Sequence, residues 1–283
     1  MDLTFARSPN VLFAAYVRRV TRISPGFVRV GFEGDDLARL VPRGLDQRMK
    51  LLLPVGAVPE GLGESFLPET EWRRRWRALP RERRPALRSY TVGEARPDAA
   101  ELDIDFYVHA RPGPGSAWAL RAQPGDVLMI SAPDRRREDG RHGVQWNPGV
   151  ARRVLLAGDE TAYPAIRGIL RALGRDVSAS VIVEAHDPED AAWVRDEVVA
   201  GAGVVCPRGE RQPGGESLRE GVAAWAGREG GRAGDEGDGF YAWCATESAR
   251  VAQVRDTLVA VGVDAGRVHV QGYWNDRDRP SHL

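Results

Sequence analysis

The sequence predicts a two-domain α+β protein: an N-terminal antiparallel β-barrel, then an α/β domain with an open, mostly parallel sheet. Three observations lead there. Short apolar runs punctuated by Gly and Pro fill the first half, the pattern of many short strands joined by turns. Leu102, Ile104, Phe106 and Val108 alternate with Glu101, Asp103, Asp105 and Tyr107, the period of a sheet with one buried face. From Arg153 onward, strand, turn and helix signals alternate, which implies parallel strands joined by crossover helices.

The first domain is read as residues 1–133. Strands at 13–20 and 27–32 (FVRVGF) are split by the Ser24-Pro25-Gly26 turn, and 49–53 is a short strand closed by Pro54. A helix near 69–79 (ETEWRRRWRAL) puts Trp72 and Trp76 on one face, suited to packing on the barrel, while Arg73 to Arg75 form a solvated face. After the 102–108 strand, the Arg111-Pro112-Gly113-Pro114-Gly115 turn leads to Ser116, a good N-cap for a short helix from about Ala117. A strand at 127–130 closes the barrel. Residues 134–152, polar and aperiodic, read as a linker in which His142 is an exposed loop residue.

The second domain is read as 153–283. Residues 154–157 form a continuous apolar run, as in a parallel strand covered on both faces. The Gly158-Asp159-Glu160-Thr161 turn, with Thr161 as N-cap, starts a helix bearing Ala165, Ile166, Ile169, Leu170 and Leu173 and ending at Gly174. Strands follow at 180–184, 240–244 and 268–271, with helices near 217–226 and 251–261. The glycine-rich stretch 227–239 (GREGGRAGDEGDG) reads as a mobile loop. Gly272-Tyr273-Trp274 comes after the last strand, so it and the Gly158 turn belong at the carboxyl edge, where open parallel sheets take ligands.

Composition narrows the function. Of 283 residues, 42% are hydrophobic and 28% charged, and net charge is zero at a pI near 7.0, so bulk charge gives no reason to expect nucleic acid or membrane binding. No apolar run reaches the roughly 20 residues of a membrane helix, and the N-terminus lacks a signal-peptide core, which leads to a cytoplasmic, non-inserted protein. Two distant cysteines, Cys206 and Cys244, fit reduced thiols, and no Cys-x-x-Cys pair exists for zinc or iron–sulfur.

An arginine, a tyrosine ring and a small-residue helix start lie close together in the chain: Arg88-Ser89-Tyr90-Thr91, then Gly113 to Ser116. A ring can lie against a flat cofactor, a guanidinium can clamp an anionic oxygen, and free helix N–H groups can seat a phosphate. Together they suit a flavin dinucleotide.

With Gly113-Pro114-Gly115-Ser116-Ala117-Trp118-Ala119, Ala157-Gly158-Asp159-Glu160-Thr161-Ala162 and Gly272-Tyr273-Trp274, these segments make the chain resemble the siderophore-interacting proteins, FAD-containing ferric-siderophore reductases of the ferredoxin-reductase-like superfamily. The resemblance spans nearly the whole chain. It implies FAD bound by Arg88, Ser89, Tyr90, Thr91, His109, Gly115, Ser116, Trp118, Asp159, Thr161, Ala162, Tyr273 and Trp274. It also implies NADH or NADPH as donor and a ferric siderophore as acceptor near Lys50, Arg88 and Arg277; a monomer is expected. A nicotinamide gives a hydride while Fe(III) takes one electron, and a flavin reconciles the two, so no protein acid, base or nucleophile is required. Reduction weakens the hard-oxygen chelation of the metal. An FAD-holding siderophore-binding protein without turnover, or a flavin reductase serving a protein acceptor, are the competing expectations. Two departures lower the positive charge relative to the family: Gly93 two residues after Thr91, and Asn275-Asp276 before Arg277. Lys50, the single lysine of the chain, is the candidate for a compact cationic contact.

Overall fold

The computed structural model describes residues 8–109, 111–137, 140–198, 203–210 and 212–275. They form two compact units, one of residues up to Ile23 and 27–144, the other of 145 onward with Ser24–Gly26.

The first unit is one antiparallel sheet of seven strands: β1 (Asn10–Ser24), β2 (Phe27–Glu33), β3 (Arg48–Leu53), β4 (Ala86–Thr91), β5 (Glu94–Arg96), β6 (Glu101–Tyr107) and β7 (Val127–Pro133). Their order across the sheet is β4-β3-β7-β1-β2-β6-β5. The edge strands, β4 and β5, are consecutive in sequence with only Val92 and Gly93 between them. Three Cα steps span at most about 11 Å, so the sheet must curl until its edges nearly meet. Closure is therefore made by a two-residue connection and not by a ladder, which leaves a half-barrel. Val92 anchors that connection, donating its N–H to the Gln47 carbonyl at 2.8 Å. Gly93 passes so close to β6 that a Cβ would fall on the Asp103 carbonyl oxygen, so a side chain there needs the backbone to move.

The barrel core gathers Phe13, Val30, Phe32, Leu51, Leu102, Ile104, Phe106 and Ile130, all at most 1% exposed. On the outer face, helix α1 (Glu69–Ala78) lays Trp72 over Leu12, Leu52 and Met129, the packing expected for that tryptophan. The polar residues of β6 are not simply solvated. Asp105 takes a fork from Arg29 at 2.6 and 2.9 Å, and Asp103 takes Arg19 at 3.0 and 3.1 Å, so both carboxylates are 4% exposed beneath arginines.

The second unit is a five-stranded parallel sheet of β8 (Arg153–Gly158), β9 (Ser178–Ala185), β10 (Gly203–Pro207), β11 (Phe240–Glu247) and β12 (Val268–Trp274), ordered β10-β9-β8-β11-β12. Between them run α3 (Tyr163–Ala172), α4 (Pro188–Trp193), α5 (Glu216–Asp235) and α6 (Ser248–Ala260), numbered after α2 (Pro114–Ala119) of the barrel. The strand order reverses at β8, which puts a topological switch point between β8 and β11.

Four expectations are corrected. Residues 227–239 are no loop to their midpoint: α5 continues to Asp235, because Gly230 and Gly234 let it lie tight on the end of α6. A Cβ at Gly230 would meet Val261, and one at Gly234 would stand 2.8 Å from the Gly262 carbonyl oxygen. Gly272-Tyr273-Trp274 lies inside β12, still paired with β11. Helix α2 begins at Pro114 with Gly113 as N-cap, not near Ala117, because Ser116 Oγ donates to the Tyr107 carbonyl at 3.0 Å. Asp159, not Thr161, caps the turn after β8. Strand β10 and helix α4 carried no sequence signal that was read.

Candidate functional site

In the barrel unit the β3–β4 register sorts the motif residues by face. Met49 pairs with Tyr90 and Leu51 with Arg88, while Lys50 pairs with Ser89. Residues directly opposite across a ladder share a face. Met49 and Leu51 belong to the barrel core, so Arg88 and Tyr90 stand on the core-side face of this edge strand, and Lys50 and Ser89 on the other.

Tyr90 packs on Phe106 at 4.6 Å between ring centroids. Phe106 lies 5.7 Å from Trp118, whose ring stacks on Phe32 at 6.0 Å and 11°. Trp118 is thus a core residue, 7% exposed. The Tyr90 hydroxyl rests against the first turn of α2, where a Cβ on Gly115 would fall directly on it. Burial pushes the Tyr90 phenol up, so it keeps its proton at physiological pH. Ser116 fastens α2 to the end of β6, and the His109 N–H points to the same hydroxyl at 3.4 Å, with the His109 ring edge-on to Tyr107 at 4.7 Å. Thr91 is buried at the end of β4.

Arg88 is exposed and donates to the Leu87 carbonyl at 2.9 Å; among the described residues it pairs with no carboxylate. A free guanidinium, a ring on the same face and a glycine-built helix start therefore come together although the chain separates them by some 25 residues. That set fits a flavin dinucleotide, offering a cation for a phosphate and an aromatic surface beside it. Lys50 donates to Ser89 Oγ at 2.5 Å. Burial, then the charges of Arg48 and Arg73, pull its ammonium pKa down. Arg48, two residues along the same face, is an exposed cation that the sequence reading passed over.

In the second unit Asp159 joins three strand ends. Its Oδ1 accepts from the Thr161 N–H at 3.0 Å and the Thr161 hydroxyl at 2.5 Å. Its Oδ2 accepts from Thr246 Oγ1 and from the Trp274 indole N–H, both at 2.7 Å. Trp274 is thereby held across the carboxyl edge at the switch point, against Gly214, where a Cβ would stand 2.6 Å from the indole. Tyr273, on the other face of β12, lies edge-on to Trp243 at 6.2 Å. Ala162 is buried beneath the turn. Arg277 lies outside the described residues.

Beside this turn is a network absent from the sequence reading. Arg208, following β10, donates to Glu160 at 2.9 and 3.3 Å and to Glu184 at 2.7 Å. Glu184 also accepts the Gly215 and Leu218 N–H groups at 2.8 and 3.0 Å, which caps α5. One guanidinium serves two buried carboxylates, and burial pushes Glu160 up to about 8 despite Arg208. The available signal was Glu184 itself, an acid ending the apolar 181–183 run.

Residues 16–137 match the siderophore-interacting FAD-binding domain, and residues 151–277 match the siderophore-interacting protein model. The chain belongs to the siderophore-interacting protein family. A siderophore utilization protein from T. fusca has a TM-score of 0.68 and 26% identity, over 98% of this chain and 97% of that one. A ferredoxin NADP+ reductase from Neisseria gonorrhoeae with bound FAD and NADP, at 13% identity and TM-score 0.62 over 93% of this chain and 99% of that one, shares the fold.

Among curated relatives, the NADPH-dependent ferric-chelate reductase of Escherichia coli is 34% identical over 62% of this chain, and the ferric vibriobactin reductase ViuB of Vibrio cholerae is 31% identical over 59%. The mycobactin import ATP-binding/permease protein IrtA of Mycolicibacterium smegmatis is 28% identical over 80% of this chain. The aligned stretches span 64%, 56% and 24% of those proteins respectively. The chain is an FAD protein of ferredoxin-reductase-like fold. No helix among the described residues is long and apolar enough to cross a membrane.

Proposed function

We propose that this siderophore-interacting protein is a cytoplasmic, monomeric ferric-siderophore reductase that passes electrons from NADH or NADPH through FAD to Fe(III), releasing Fe(II). The observation that carries the reading is the convergence of Arg88, Tyr90 and the Gly115 turn on one face of the barrel edge, within the segment matching the FAD-binding domain. Bound FAD supplies the conversion of a two-electron donor into one-electron steps. Arg88 holds an anionic oxygen of the cofactor. The protonated Tyr90 hydroxyl and its ring fix the position of the cofactor against α2. Lys50, with Arg48 on the same strand face, offers positive charge to an anionic ferric chelate; burial first, then the charges of Arg48 and Arg73, pull its ammonium pKa down.

The names of the E. coli and V. cholerae relatives support the acceptor class, and the free thiols of Cys206 and Cys244 suit a reducing compartment. Anaerobic mixing of the FAD-loaded protein with NADH, NADPH and a panel of ferric siderophores, following flavin bleaching and Fe(II) trapping, tests the reading. Bleaching by at least one nucleotide and Fe(II) on addition of a siderophore is the expected result.

One observation favours a second reading, FAD-dependent siderophore binding with little turnover. The first βα turn of the parallel sheet has its Thr161 N–H taken by the Asp159 carboxylate and lacks a glycine fingerprint, so it offers no ready seat for a nucleotide phosphate. Absence of bleaching with either nucleotide, with siderophore affinity retained, selects that reading.

A further inference from the structure

Residues 73–88 carry eight arginines and one glutamate, in a chain whose net charge is zero. The structure divides these arginines sharply. Arg73 and Arg74 are committed to Glu69 and Glu71 along α1, Arg75 to Glu71 and to Glu64 ahead of the helix, and Arg84 packs over Trp76 while donating to the Arg77 and Leu79 carbonyls at 2.8 Å. Arg77, Arg81 and Arg83 are exposed and pair with no carboxylate among the described residues. Their placement follows from the sheet. Leu53, the last residue of β3, pairs with Ala86, the first of β4, so the chain leaving β3 and the chain entering β4 emerge at the same end of the barrel. The chain leaving β3 is Pro54-Val55-Gly56-Ala57-Val58, and Val55 is 78% exposed, the largest value among the exposed large hydrophobic residues. The chain entering β4 is the Arg81–Arg83 turn, tied through Arg84 to the end of α1 and so to Arg77. Three exposed guanidiniums with no carboxylate partner among the described residues thus lie on segments that leave the barrel at the same end as a small, exposed aliphatic tip. The motif residue Thr91 lies at the opposite end of β4, about 17 Å from Ala86 at the rise of an extended strand, whereas Arg88 is two residues, about 7 Å, beyond Ala86. This surface therefore adjoins the Arg88 end of the site assigned to flavin, while Arg77, Arg81, Arg83 and Val55 are not residues of that site.

We propose that this end of the barrel is a peripheral docking surface for an anionic lipid bilayer, with Arg77, Arg81 and Arg83 facing lipid phosphates and the Val55 tip entering the interfacial layer. The combination decides between partners. Unpaired arginines attract any polyanion, but a protruding valine between Pro and Gly gains nothing from a soluble acidic protein unless a matching pocket exists, whereas a bilayer interface takes it without one. No segment inserts; the contact is electrostatic, with a small apolar contribution.

The test is co-sedimentation of the full-length, FAD-loaded protein with large unilamellar vesicles of phosphatidylcholine alone or with 30% phosphatidylglycerol, at about 50 and 300 mM NaCl, salt levels on either side of strong screening. Binding to the anionic vesicles at low salt, at least tenfold weaker at high salt and on pure phosphatidylcholine, is expected. The triple variant Arg77→Ala, Arg81→Ala, Arg83→Ala should lose at least tenfold in partitioning, and Val55→Asp should also weaken it, both with flavin content and Tm unchanged. Equal partitioning on both vesicle types, or a triple variant that keeps its flavin and binds as tightly as the parent, overturns the proposal. So does binding to a soluble acidic protein without any partitioning onto vesicles.

Discussion

At the residue scale, the sharpest consequence is that Arg88 and Lys50, two cations one strand apart, face opposite sides of the same ladder. Arg88 shares its side with Tyr90, so Arg88→Ala should weaken FAD retention by about 10- to 100-fold, the worth of a charge-assisted hydrogen bond of about 1.5–3 kcal/mol. Lys50→Ala should leave FAD affinity within a few-fold and raise KM for an anionic ferric siderophore. Flavin dissociation constants from fluorescence titration, set beside siderophore kinetics, check both halves. Gly115 gives a second test. Gly115→Ala places a methyl where the Tyr90 hydroxyl now lies, and should lower flavin affinity at least tenfold; adding Tyr90→Phe, which removes that oxygen, should restore part of it.

Glu160 belongs to this scale as well. Its pKa is raised from the ordinary 4.5 to about 8, so between those values the folded protein keeps a proton that the unfolded chain has released. Its contribution to stability is complete below pH 4.5, declines as pH rises and is gone above about 8, with a slope of at most about 1.4 kcal/mol per pH unit. Glu160→Gln removes the titration. Denaturant midpoints at pH 6 and pH 9 should therefore fall more for the parent than for the variant.

At the element scale, α5 shows how glycine content misleads. Residues 227–239 look disordered by composition, since glycine in a helix costs about 1 kcal/mol against alanine. Two of the glycines are there because α6 approaches. Gly234→Ala sets a Cβ 2.8 Å from a backbone oxygen that cannot swing away, and should destabilise by about 1–3 kcal/mol. Gly227, with nothing within 4 Å of the same atom, should gain up to about 1 kcal/mol on the identical change. Thermal unfolding of the two variants should therefore shift in opposite directions. The same contrast governs the caps. Serine and threonine favour N-cap positions in general, but Ser116 is drawn to the Tyr107 carbonyl and Thr161 to Asp159, and neither partner can be inferred from local preference.

At the scale of the whole molecule, net neutrality hides an uneven distribution. The segment 73–88 concentrates positive charge, and pairing along α1 then leaves the surplus at one end of the barrel. An experiment on bulk charge alone, such as ion exchange at pH 7, should find weak retention, while the vesicle assay reads the local surface.

The amino-acid sequence by itself determined the class and order of the two units. Period-two alternation at 101–108 and the apolar 154–157 run report burial on one face or on two, and burial is what side-chain hydropathy records. It also carried the motifs through which the family is recognised, because Arg88, Tyr90, Gly115 and the glycine-aromatic end of β12 are residue types chosen for local chemistry. The tertiary structure decided which of those residues meet. The β3–β4 register parted Lys50 from Arg88, the curl of the sheet brought Gly93 onto β6, and Asp159 was bound to Thr246 and Trp274 across 87 and 115 residues of chain. The Glu160–Arg208–Glu184 network likewise joins three strand ends and the start of α5. Such contacts depend on strand order, register and helix approach, which are set by the packing of the whole unit, and no window of neighbouring residues contains them.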